Sequence, residues 1–213
     1  MIRGRTLLDL LLPLFLVLPA FAQSPDSDKG TVAQPTWSVG DWWDFRDGRA
    51  AWRLTVIARE GADYVLVKTA AKEPATSPDG KEKYLVSPNG VTQKIIAASG
   101  KTTDSPDQRE WVRFPLSPGG ASWSWIRQSV SLSGRATQYY YECGGDRWET
   151  IEIGGRKVRV FRVACTSKTR TGDGYASYAH TAWYAPDAKR LVRLESDYAG
   201  GPSIEVTAWS VQP

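Results

Sequence analysis

Trp148-Glu149-Thr150-Ile151-Glu152-Ile153-Gly154-Gly155-Arg156-Lys157-Val158-Arg159-Val160-Phe161-Arg162-Val163-Ala164-Cys165-Thr166 reads as two strands meeting at a pair of glycines. Both arms are rich in β-branched and aromatic residues, and a glycine pair between such arms is a hairpin signal. The register is testable. If a three-residue loop, Ile153-Gly154-Gly155, sets Glu152 opposite Arg156, facing residues sum to 308, and so do Cys143 and Cys165. A two-residue loop shifts the register by one, and a single bulge restores it. These are the only two cysteines of the chain. The expectation is a Cys143–Cys165 disulfide closing the interval Gly144–Ala164, worth about 3 kcal/mol in the chain-entropy picture. Within Arg156–Cys165 the apolar phase changes at Val160-Phe161, which predicts a bulge or burial on both faces.

Outward from this hairpin the chain is punctuated by one repeated turn formula: Ser77-Pro78-Asp79-Gly80, Ser87-Pro88-Asn89-Gly90 and Ser117-Pro118-Gly119-Gly120. Proline pre-sets the second turn position, and glycine closes the fourth. Gly48, Gly61 and Gly100 mark weaker breaks. Between them the predicted strands are Trp42–Asp47, Trp52–Arg59, Tyr64–Thr69, Lys83–Val86, Val91–Ala97, Ser122–Ser131, Thr137–Glu142, Trp148–Ile153, Arg156–Thr166, Ser177–Tyr184, Leu191–Tyr198 and Ile204–Val211. Val192, Leu194 and Ser196 share one face of theirs, and Arg193, Glu195 and Asp197 the other. One place invites a short helix: Ser105-Pro106-Asp107-Gln108 carries a cap, Pro at the first position and Gln three after the cap. Phe114-Pro115 would stop it. Few connections are long enough for crossover helices, so the fold class predicted is all-β, an antiparallel meander forming a curved sheet or incomplete barrel.

The N-terminus states a compartment. Arg3 and Arg5, a mostly apolar Leu7–Leu18 and Ala20-Phe21-Ala22 make Met1–Ala22 a signal peptide, cut before Gln23. The apolar run is too short and interrupted to span a bilayer, and no Cys follows it to carry lipid. Residues 23–35 are polar and read as a disordered lead-in; a single β domain is expected over 36–213. The location implied is periplasmic or secreted, which suits a disulfide. Removing the signal takes away two of the 27 basic residues and one of the 23 acidic ones, leaving a net charge of +3. That mild, dispersed excess argues against nucleic acid as a partner.

Trp37-Ser38-Val39-Gly40-Asp41-Trp42-Trp43, the Phe114–Gly119 turn followed by Trp123, Glu149–Ile153, and Trp183-Tyr184-Ala185-Pro186 followed by Leu191–Glu195 resemble a loose group of exported bacterial β-proteins of unknown function. Members open with Trp-x-Val-Gly-Asp-x-Trp and carry an aromatic-aromatic-Ala-Pro hairpin before a final strand pair. Where they often have Pro-Ala-Gly-Thr-Phe, this chain has Gly154-Gly155-Arg156-Lys157-Val158. The resemblance implies a curved sheet with apolar side chains inside its curve, and it carries over no catalytic residues.

Chemistry-bearing constellations are sparse. His180 is the only histidine, with Asp173, Ser177 and Tyr178 near it in sequence, and no Gly-x-Ser-x-Gly elbow accompanies it. One His and two bridged cysteines are too few for zinc. Asp41, Asp44 and Asp47 read as turn caps and solvent-facing carboxylates, and no calcium-loop pattern is present. No cofactor is implied. Glu142, Glu149, Glu152 and Glu195 could pair for glycoside hydrolysis, but cross-strand ion pairs are the simpler use of them. Ten Trp and nine Tyr are heavy for this length. They are either core filling or the wall of a groove, for which Trp123, Trp125, Tyr140 and Trp183 are the candidate ligand contacts. In Tyr139-Tyr140-Tyr141 the middle ring must point away from its neighbours. The reading is an exported non-enzymatic protein binding an apolar ligand or an envelope component. Its rivals are a small exported glycan or ester hydrolase using carboxylates or His180, and a purely structural envelope protein.

Overall fold

The structure, a computed structural model, describes residues 30–48, 50–71, 81–105, 109–130, 136–171, 174–198, 201 and 203–213. The signal peptide expected over Met1–Ala22 and the Ser77–Gly80 turn lie outside the described residues.

The fold is all-β. Twelve strands form one antiparallel sheet: β1 Trp42–Arg46, β2 Ala51–Glu60, β3 Asp63–Ala70, β4 Lys83–Val86, β5 Thr92–Ile96, β6 Thr102–Asp104, β7 Trp123–Val130, β8 Ala136–Ile153, β9 Arg156–Thr171, β10 Gly174–Ala185, β11 Arg190–Ser196 and β12 Ile204–Ser210. Their order is β6-β5-β4-β3-β2-β1-β12-β11-β10-β9-β8-β7. Every neighbour is sequential except β1 and β12, so the two ends of the domain meet mid-sheet and β6 and β7 are its edges. The sheet does not close into a barrel. Thr92 on β5 and Leu194 on β11 line one cavity. Six strand spacings would separate them by about 29 Å in a flat sheet, so the sheet curls strongly.

Asp41 fixes the central junction. Its two carboxylate oxygens accept the Ser38 and Gln212 N–H groups at 2.8 Å each, tying the start of the domain to its end. It is buried, as is Asp44, which takes a bidentate pair from Arg53 at 2.7 and 2.9 Å. Of the three aspartates, only Asp47 is the exposed turn cap expected, accepting the Ala50 N–H. Buried carboxylates persist here because charged and backbone donors satisfy them.

The β8–β9 hairpin turns on Gly154-Gly155, with φ of 55° and 77°. Both values lie in the left-handed region that a two-residue type I′ loop demands. Ile153 faces Arg156, so the loop is the two-residue form, and a shift between Gly145 and Arg147 restores Cys143 to Cys165. The disulfide is present. Gly145 at the bulge has to be glycine, since a Cβ there would collide with the Ser117 carbonyl. The two strands expected over 137–142 and 148–153 are therefore one, with the bulge in its middle.

Two expectations need correction, and one strand lies outside those expected. The helix expected after Ser105 is not formed by residues 109–116, and 106–108 lie outside the described residues. That segment instead straps the inside of the curve between the two edge strands. Trp111, Val112 and Leu116 are buried, and burying them outweighs a local capping signal. The disorder expected over 23–35 does not hold at Val32, which is buried and pairs with Leu116 through bonds of 2.7 and 3.0 Å. Finally β6, three exposed polar residues, joins the sheet without an apolar face.

Candidate functional site

Two buried clusters fill the curve. One gathers Trp37, Trp43, Phe45, Leu66 and Val206 around mid-sheet, and the other gathers Trp111, Leu116, Trp123, Phe161 and the disulfide toward β7. Between them, under the strap, lies a cavity of about 260 Å³. Trp37, Phe45, Val192, Leu194 and Ile204 line it from the sheet side, and Trp111, Val112 and Phe114 from the strap. Phe114 packs edge-on against Tyr184 at 5.0 Å. The lining includes four basic residues, Arg109, Lys189, Arg190 and Arg193, and no acidic one.

Trp37, Phe114, Tyr184 and Leu191–Leu194, taken from three of the quoted motifs, line this cavity. Pro186–Ala188 forms a single 3-10 turn, ended by Lys189 at φ 52°. The Trp43 indole donates to the Ala188 carbonyl at 2.7 Å, and the Trp37 indole to the Lys189 carbonyl at 2.8 Å. These bonds hold the next residue, Arg190, among rings. Its guanidinium carbon lies 5.0 Å from the Trp37 ring centroid, 4.9 Å from Trp43 and 5.4 Å from Phe45. The residue is half-buried overall, but its Nη1 is sealed from solvent and has no hydrogen-bond partner among the described residues. Burial pushes its pKa down to about 10, with the neighbouring Tyr184 opposing the shift, so it remains a cation at neutral pH. The Tyr184 phenol is pushed well above its usual range, chiefly by burial. Ring contacts of this kind are worth about 0.5–2 kcal/mol each, whereas an unpaired buried charge costs several. Arg190 is thus an under-compensated charge. By contrast Lys189 donates to the Thr36 and Gln212 carbonyls, and Arg193 bonds Glu205 and the Glu152 carbonyl.

His180 occupies a different environment. It is buried, 2% exposed, with Nε2 2.8 Å from Ser167 Oγ and Nδ1 2.6 Å from Ser196 Oγ. Trp111 and Tyr141 flank the ring at 5.3 and 5.4 Å. Burial lowers its pKa, opposed by Asp197 and aided by Arg109. The Ser167–His180 pair has the spacing of a nucleophile and its base. Neither residue lines the cavity under the strap, and Ser167 is 1% exposed. Asp173, expected near His180 in sequence, lies outside the described residues.

Of the four aromatics singled out in the sequence, Trp123 and Tyr140 line one hollow near β7, and Trp125 and Trp183 do not line it. Trp123 and Trp125 face the interior. Trp123 is buried and donates to the Glu110 carbonyl, while Trp125 stacks on Tyr141 at 3.8 Å and meets Trp111 edge-on at 5.4 Å. Tyr140 points the opposite way from Tyr141 and is 48% exposed. Trp183 does not share the face of Ala182 and Tyr184 and does not line the cavity, and its indole donates to the Glu149 carboxylate. Glu149 also pairs with Arg147, and Glu195 with Arg193. Glu142 lines that same hollow, of about 480 Å³, with Trp123, Tyr140 and Lys168. Among the described residues no three His, Cys, Asp or Glu cluster as a metal site would need, and no helix is long and apolar enough to cross a membrane. The residue missed from sequence is Arg190. Its signal was present, since alternation along β11 sets Arg190 on the face of Val192 and Leu194.

Fold and cavity together define an open, strongly curved antiparallel sheet with a strapped apolar pocket. No protein-family model and no curated protein matches the chain. Solved structures do share its outline. The hypothetical lipoprotein YmcC of Escherichia coli K12 superposes with a TM-score of 0.46 at 13% identity, over 84% of this chain and 90% of that one. A protein of Parabacteroides distasonis described as a lipoprotein gives 0.44 at 10% identity, over 84% and 97%. An exported protein of Bacteroides fragilis, described as having a YmcC-like fold, gives 0.37 at 10% identity, over 84% and 99%. Likenesses this distant say nothing of what the chain binds.

Proposed function

We propose that this chain is an exported, non-enzymatic binding protein that holds an apolar small molecule between its sheet and its strap. One observation carries the reading: a cavity of about 260 Å³ walled by Trp37, Phe45, Trp111, Phe114, Val192 and Leu194. Apolar walls with a few placed polar groups are the usual make-up of a ligand pocket, and this volume suits a small or slender occupant. Trp125 supports the wall from behind through Trp111, a backing role rather than a direct contact. Tyr140 is exposed on another surface, and Trp183 packs against the mid-sheet cluster outside the cavity.

The hydrolase reading has one favourable observation, the Ser167–His180 pair at 2.8 Å. Against it, a substrate would have to reach a sealed hydroxyl, and the second imidazole nitrogen meets Ser196 where an orienting carboxylate would be expected. The binding reading is tested with the neutral dye N-phenyl-1-naphthylamine and the half-buried strap residue Phe114. Saturable binding weakened at least tenfold by Phe114→Asp is expected. Binding that is unsaturable, or indifferent to Phe114→Asp, would contradict the reading.

A further inference from the structure

We infer that the cavity takes an amphipathic anion, with a carboxylate or phosphate head held by Arg190 and an apolar tail lying against Phe45, Phe114 and Leu194. The inference rests on the binding reading above and adds the chemical class of the ligand.

Three features of the cavity point the same way. Its lining carries basic residues and no acidic one, so nothing in the wall itself can neutralise Arg190. The guanidinium is held from behind by indole and phenyl rings about 5 Å away, which orient a planar fork without using its N–H donors. Nη1 is covered by the protein and has no partner among the described residues, while the half-buried side chain as a whole lines the cavity. An anion there would meet the guanidinium through its remaining donors, and a two-oxygen anion meets one edge of that fork with paired, charge-assisted bonds. The backbone places this group deliberately: Trp43 and Trp37 grip the carbonyls of Ala188 and Lys189, the two residues before it. A residue serving only as filler would be better replaced by an aliphatic chain of the same length.

A neutral ligand would leave the charge as it is, and a cationic one would be repelled. The tail is required by the rest of the wall, which is aromatic and aliphatic, and the modest volume favours a single slender chain.

The test titrates the oxidised full-length mature protein with decanoate, decyl phosphate and decanol, which share a tail and differ in the head. Displacement of N-phenyl-1-naphthylamine is the readout. At least one anion is expected to bind tenfold or more tightly than decanol, and whichever does identifies the head as carboxylate or phosphate. In Arg190→Gln that advantage should vanish, leaving all three at the affinity of decanol. If decanol binds wild-type protein as well as both anions do, the anion site is overturned while the apolar cavity stands. If none of the three, nor the dye, binds the wild type, the cavity reading falls and the anion site with it. The wild-type comparison of acid with alcohol decides the matter even if Arg190→Gln does not fold. Persistence of the anion advantage at 0.5 M salt is also expected, because a buried pair is screened far less than surface charges. Its disappearance there would assign the preference to the surface and overturn the inference.

Discussion

His180 and Arg190 are both carried on the inner side of the curve, and they are treated in opposite ways. Around His180 the protein is complete. Ser167 and Ser196 occupy its two ring nitrogens, Trp111 and Tyr141 close over it, and burial keeps it neutral. Around Arg190 the protein supplies rings and no anion. The difference separates structure from function more sharply than residue type does. A lone histidine attracts attention in a sequence, yet here its hydrogen bonds are already made within the fold. An arginine beside a turn attracts none, yet it lines a cavity whose wall holds no anion to pair it.

That contrast can be broken or sharpened by substitution. The largest effect should come from the rings around Arg190. Trp43→Ala removes a fully buried indole and its bond to the Ala188 carbonyl, and should cost about 3–5 kcal/mol in chemical denaturation. A loss under about 1 kcal/mol would mean that the mid-sheet junction does not depend on this grip. Next, on the His180 side, the Cys143–Cys165 bridge should contribute about 3 kcal/mol. Reduction followed by denaturation checks it, and two titratable thiols in unfolded, unreduced protein would refute the bridge.

Third, His180→Leu strips Ser167 and Ser196 of a shared partner and should cost about 2 kcal/mol. The wild type should also show a pH signature. Because the folded state lowers the His180 pKa, the unfolded chain binds the proton first. The contribution is therefore complete above about 6.5, the unperturbed value, and is lost as pH falls below it. His180→Leu should flatten the stability profile in that window. Burial makes most of the His180 shift, with Asp197 opposing it and Arg109 adding to it.

The sequence revealed the frame better than the site. The hairpin was legible because Gly154-Gly155 is a local signal, and the pairing of the cysteines followed from counting along it. The merged strand β8 was not, since Gly144-Gly145 looks like a break and becomes a bulge only through its fit against Ser117 and Phe161. The strap defeated local reasoning for a similar cause. Its capping residues are written for a helix, while Trp111, Val112 and Leu116 are spent on a core made by distant strands. The site was least legible of all. Trp37 and Trp43 precede Arg190 by some 150 positions, and only the meeting of β1 with β12 brings them to it. Alternation alone could have flagged the arginine, because a charge in phase with Val192 and Leu194 belongs to the inner face.

The smallest effect is the most informative one. Arg190→Met keeps the length of the side chain and removes the charge, and unlike His180→Leu it should leave stability unchanged or raise it by about 1 kcal/mol. Urea denaturation of the wild type and Arg190→Met at neutral pH, without added ligand, measures this directly. A variant at least as stable as the wild type is the result predicted for a charge held ready for a ligand. A loss of more than about 2 kcal/mol would show that Arg190 serves the fold, and would contradict the account.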